Sequence, residues 1–122
     1  METIRKVNLR DKFSLINEYR SPKVAGELNG QAVKLVKMKG DFIWHHHEHE
    51  DEMFLVVKGK FRMGLKTGDI DVHEGEFIII PRGVEHRPIA DDEAHIILFE
   101  PTSTLNTGNI RNEFTRDSPG AI

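Results

Sequence analysis

The chain of 122 residues contains no cysteine. That excludes a disulfide framework and a thiolate nucleophile, and it suits a reducing compartment. No apolar run approaches the roughly 20 residues of a membrane-spanning helix. The leading residues, Met1-Glu2-Thr3-Ile4-Arg5-Lys6, lack the apolar core of a secretory signal. The expectation is a cytoplasmic protein with no membrane partner. Basic excess is missing as well: 17 Lys and Arg stand against 20 Asp and Glu, for a net charge of −3. Lys34, Lys37 and Lys39 are close together, but acidic residues follow at once, so no basic stripe for a nucleic acid forms. There is no G-x-S-x-G elbow, which with the absent cysteine disfavours a nucleophilic hydrolase. Internal repeats and a helix-rich region are absent, and the length suffices for one compact domain.

What the chain does have is concentrated histidine. Trp44 to Glu52 reads Trp-His-His-His-Glu-His-Glu-Asp-Glu and holds four of the seven histidines. An affinity tag would sit at a terminus. A merely solvated loop would not be flanked by Phe42-Ile43-Trp44 and Met53-Phe54-Leu55-Val56-Val57, both rich in strand formers. The histidines therefore lie on or at the edge of strands. Alternation puts His45 and His47 on one face and His46 on the other. A turn through Glu48 to Asp51 would fold Glu52 back beside them. Two imidazoles and a carboxylate suit Fe, Mn, Ni, Cu or Zn. Asp51 is the competing carboxylate, but parity and the spacing to Gly59 favour Glu52.

A second stretch, Gly75 to Arg87, runs Gly-Glu-Phe-Ile-Ile-Ile-Pro-Arg-Gly-Val-Glu-His-Arg. An apolar strand enters a turn at Pro81 and Gly83, and His86 follows. The spacing His45-x-His47-(x)4-Glu52-(x)6-Gly59 resembles the first cupin motif. Gly75-(x)5-Pro81-x-Gly83-(x)2-His86 resembles the second. Two departures exist: Gly40 is one residue nearer to His45 than usual, and Ala90 stands where the second motif usually has Asn. Neither position is a ligand in the family. Within the cupins the chain resembles small single-domain members labelled mannose-6-phosphate isomerase-like, of the RmlC-like jelly-roll type.

The resemblance implies an all-β fold, a cupin double-stranded β-helix or jelly-roll barrel. It implies His45, His47, Glu52 and His86 as ligands of one divalent transition metal (Fe, Mn, Ni or Zn), with two coordination positions left open. It also implies a homodimer. Residues 31–100 form the barrel, 1–30 a helical or extended segment packed on it, and 101–122 an irregular tail.

Along the chain, residues 8–20 read as a short helical segment with Asn8 as N-cap and Leu9, Phe13 and Ile16 packing inward. Asn29-Gly30, Lys39-Gly40-Asp41, Lys58-Gly59-Lys60 and Thr67-Gly68-Asp69 read as turns, and Ala90 to Glu93 as an acidic turn. About eight short strands are expected. The continuous run Phe77 to Ile80 suggests burial on both faces, one of them at a subunit contact. His73 reads as a surface residue. His95 could face the cavity or the outside. Lys34 either points into the cavity as a substrate-binding group or lies on the outer face. Leu105, Ile110 and Phe114 could pin the tail.

Phe54, Val56, Phe61 and Met63 would neighbour the ligands in a largely apolar pocket for a small molecule. Phe54, Phe61 and Met63 join Lys34 as the substrate-binding candidates. A phosphosugar site would want several inward cations, and Lys34 is the only candidate, which argues against a literal phosphosugar isomerase. Two functions remain. One is a metal-dependent enzyme of dioxygenase or isomerase type. The other is a non-catalytic module that binds or senses a small molecule. No output domain accompanies the barrel, which favours the enzyme.

Overall fold

The computed structural model describes residues 3–122. Met1 and Glu2, on which part of the no-leader expectation rests, lie outside the described residues. The elements are α1 (Leu9–Phe13), β1 (Lys23–Leu28), β2 (Gln31–Asp41), β3 (Glu52–Lys58), β4 (Lys60–Leu65), β5 (Ile70–His73), β6 (Phe77–Ile80) and β7 (His86–Pro101). The fold is all-β, with a short N-terminal helix and an irregular tail. No helix among the described residues is long and apolar enough to cross a membrane.

The order β1-β2-β7-β3-β6 forms one antiparallel layer, and β4 pairs with β5 and with the start of β7. The strand β7 joins the two layers. Its first residues, His86 to Ile89, pair with β4, and its last, His95 to Phe99, pair with β3. Between them, Ala90 to Ala94 face only Gly40 and Met38 of β2. The expected acidic turn is thus an outward bulge within one long strand. Asp91, Asp92 and Glu93 stay in solvent while Ala90 and Ala94 remain in the core. Two segments read as separate strands are one because a bulge lets a strand bend without ending.

The same bulge explains Gly40. The expected turn at Lys39 to Asp41 is an irregularity inside β2, with Gly40 at φ 84°. Gly59 is likewise no hairpin turn, since β3 and β4 do not pair; its φ of 84° sends the chain from one layer to the other. Asn29-Gly30 behaves as read: both residues have positive φ, 50° and 75°, and close the β1–β2 hairpin. The strand β1 was not foreseen, because Lys23-Val24-Ala25-Gly26-Glu27-Leu28 lacks a clean alternation. The helix is shorter than the expected segment. Asn8 does cap it, accepting from the Asp11 amide at 3.0 Å. Phe13 and Ile16 are buried against Leu35 on the outer sheet face.

The main core lies between the layers and includes Met38, Phe54, Val56, Phe61, Met63, Ile96 and Leu98. In β6 one face is core and the other is open in the single chain. Ile80 is buried, but Phe77 is 60% and Ile79 55% exposed on an edge strand.

The tail is irregular but fastened. Its end pairs with β1 through the Val24–Ala121 bridge. Phe114 packs on the core and stacks on Phe42, with centroids 5.7 Å apart. Ile110 stays partly exposed, at 37%. The amide of Asn109 donates to the His46 carbonyl at 3.0 Å, and the His46 amide donates to Asn109 Oδ1 at 2.9 Å. Gly108 has φ 56°, and a Cβ there would meet the His46 carbonyl oxygen. Gly108→Ala should therefore destabilise the fold by about 1–3 kcal/mol in urea melts, from backbone strain and displacement of the tail. An unchanged midpoint would show that the tail does not bear on His46.

Candidate metal centre

The site is assembled by backbone pairing across sequence-distant segments. Beyond the end of β2 the chain stays extended through Phe42 to His47. The His45 amide donates to the His86 carbonyl at 3.1 Å, and the His86 amide returns the bond at 2.9 Å. A third bond, from the Gly83 amide to the His47 carbonyl at 2.8 Å, extends the lacing. Glu52 arrives as the first residue of β3, opposite Ile80. The histidines are thus at the edge of strands, as alternation implied. His45 and His47 are buried inward, and His46 is half-buried on the other side.

His45, His47, Glu52 and His86 each offer a ligand atom, and these atoms lie within 4.8 Å of one another. Glu52 Oε1 is 3.2 Å from His47 Nε2 and 3.3 Å from His86 Nε2. Those three atoms are buried yet have no partner of hydrogen-bonding geometry. Facing lone pairs without donors are costly when dry, and a shared cation relieves all of them at once. The tautomers fit too. His45 Nδ1 lies 2.9 Å from the Ile43 carbonyl and His86 Nδ1 2.9 Å from the Val84 carbonyl, each two residues back along the chain. A carbonyl can only accept, so Nδ1 carries the proton and Nε2 keeps its lone pair for the centre. The donor set suits a divalent transition metal.

Electrostatics agree. Burial, reinforced by the neighbouring His86, lowers the His45 pKa to about 4. Burial, then the charge of Glu52, pushes Glu100 well above the usual carboxylate range, with Lys34 opposing. Lys34 Nζ stands 3.5 Å from Glu100 Oε1, within ion-pair reach. Asp51 is excluded as the ligand: it is exposed and accepts from the Arg82 amide at 2.9 Å.

The remaining candidates fall as follows. Lys34 points inward, is 2% exposed and donates to the Thr104 carbonyl at 3.2 Å. Its outer-face alternative is therefore wrong. Phe54 lines a cavity of about 30 Å³ together with His45, Glu52, Val36, Met38 and Phe42. Val56, Phe61 and Met63 sit in the main core. His73 is exposed. His95 faces outward, stacked on Phe13 at 4.6 Å.

Sequence reading missed Glu100, Arg20 and Asn106. Arg20 and Asn106 line the cavity but come from outside the expected barrel. Glu100 ends the barrel strand; its inward parity matches that of Ile96 and Leu98, a signal that was available.

Residues 33–100 match the family described as Cupin domain. The chain belongs to that family. It resembles a cupin-2 domain containing protein from Shewanella frigidimarina NCIMB 400, at 43% identity and TM-score 0.77, covering 78% of this chain and 93% of that one. Protein NMB1881 from Neisseria meningitidis is similar at 29% identity and TM-score 0.74, over 80% of this chain and 100% of that chain. The uncharacterized protein YdbB of Bacillus subtilis (strain 168) is 34% identical over 62 residues, 50% of this chain and 55% of YdbB.

An imidazole whose pKa falls from 6.5 to about 4 on folding makes the unfolded chain the better proton acceptor between those values. Stability of metal-free protein should be intact above the unfolded value and decline as pH drops through this window, by about 3 kcal/mol. Urea melts should show this slope, and His45→Gln should flatten it. Equal slopes would contradict a buried neutral His45.

Proposed function

We propose that His45, His47, Glu52 and His86 hold one divalent transition metal (iron, manganese, nickel or zinc) and that the protein is a metal-dependent enzyme acting on a small molecule. The carrying observation is the set of buried ligand atoms, Glu52 Oε1, His47 Nε2 and His86 Nε2, that face one another without partners. When bound, such an ion supplies Lewis-acid or oxygen-activating chemistry, of isomerase or dioxygenase type.

The chain's own groups do the rest. The Ile43 and Val84 carbonyls lock two rings in orientation. Val36, Met38, Phe42 and Phe54 form apolar walls that limit water at the site. Lys34 balances the buried carboxyl pair and stays engaged with Thr104, so its substrate-binding role needs that bond to break. Phe54 is the substrate-side candidate that lines the cavity. Phe61 and Met63 would shape it from behind.

Elemental analysis of tag-free protein from mixed-metal medium should give near-stoichiometric metal. His47→Ala and Glu52→Gln should weaken binding beyond the roughly 10–100-fold that outer-shell changes cost. Full retention would sink the ligand assignment. Oxygen-uptake and turnover screens of loaded protein then separate an enzyme from a binding module.

The same reading has the protein a homodimer. Phe77 and Ile79 of β6 lie beside Leu55 and Met53 of β3, which in turn lie beside Ile97 and Phe99 of β7. This apolar face at a free edge suits the same face of a second copy. Sedimentation should give a dimer, and Phe77→Lys a monomer. A monomeric parent protein would refute it.

A further inference from the structure

Arg20 is out of place for a surface residue. Its backbone has φ 61°, a left-handed conformation that favours glycine or asparagine. The strain is held by two ties to β2. The Arg20 amide donates to the Lys37 carbonyl at 2.8 Å, and Nη1 donates to the Lys39 carbonyl at 2.5 Å. The guanidinium lies over the Phe114 ring, 4.7 Å from its centroid, and Phe114 stacks on Phe42.

This layered arrangement brings Arg20 to the cavity that His45 and Glu52 line. Its Nε is buried and has no partner among the described residues. Arg62 and Arg87 also have an unpartnered Nε, but neither lines that cavity. A purely structural arginine would satisfy the Lys39 carbonyl and leave a strained backbone and a dry donor without return.

We propose that Arg20 is the anion-recognising residue of this cavity and that its ligand is a small carboxylate. The inference rests on the metal-site reading for the far end only: the carboxylate meets Arg20, and a second oxygen donor faces the His45–Glu52 end. The chemistry selects a carboxylate over a phosphate. Among the described residues Arg20 is the one Lys or Arg lining the cavity, while Val36, Met38, Phe54 and Leu98 make the walls apolar. A dianionic tetrahedral group calls for several cations, whereas one planar guanidinium fork matches one planar carboxylate. The free volume of about 30 Å³ is water-sized. The ligand is therefore small, and the lining side chains must yield to admit it.

The test is calorimetric titration of the full chain, metal-loaded and metal-free, with glycolate, lactate and pyruvate, with the amides of each, and with inorganic phosphate. At least one carboxylate should bind, its amide should not, and phosphate should bind more weakly. Arg20→Asn tolerates the left-handed backbone, so it should keep the fold and the metal content. It should weaken carboxylate binding by about tenfold or more, the value of a charge-assisted hydrogen bond. Arg20→Lys should retain part of the affinity. Wild-type affinity in Arg20→Asn, equal binding of the amide, preference for phosphate, or no binding of any carboxylate would each overturn the proposal. Metal content, measured separately on the same samples, distinguishes failure of the metal reading from failure of this one. Protein without metal that still binds carboxylate through Arg20 would leave the inference standing.

Discussion

The structure depends on the pair of backbone hydrogen bonds between His45 and His86. These residues belong to segments far apart in sequence. Their mutual bridge places both rings on one side, with centroids 4.3 Å apart. Each ring is then fixed by the carbonyl two residues earlier in its own segment. The arrangement is local, repeated and cheap in conformational entropy, because the orienting acceptor is part of the same extended chain. The jelly roll around it serves to bring the two segments into register.

That register is set by apolar parity in β3, β4 and β7 and by two features that look like defects. The outward bulge at Asp91 to Glu93 lets β7 serve both layers, and Gly40 lets β2 follow it. The tail then closes the construction. Asn109 brackets the peptide of His46, and Phe114 covers Phe42 beside His45. Residues beyond the barrel strands thus complete the wall of the site, Arg20 and Asn106 among them.

The four converging side chains were legible in the sequence because strand alternation and motif spacing are short-range signals. So was the inward parity of Phe54, Phe61 and Met63. What could not be read was anything fixed by a bulge or a crossing. Ala90 to Glu93 carries turn chemistry yet continues a strand, since its acidic side chains need only solvent and not a chain reversal. Gly59 has hairpin composition yet links two layers, because a positive φ serves both geometries. Lys34 was ambiguous because its partner, Glu100, is remote in sequence and the pairing becomes visible only in the fold. Arg20 was invisible for a different reason: nothing in Tyr19-Arg20-Ser21 signals a left-handed residue reaching over a distant phenyl ring.

The central claim is that three imidazoles and one carboxylate surround a single divalent ion. X-ray absorption at the edge of whichever metal copurifies with tag-free protein tests it most directly. Nitrogen and oxygen neighbours at about 2.0–2.2 Å are expected, with the outer scattering of several imidazole rings. Water oxygens alone, without imidazole scattering, would contradict the claim.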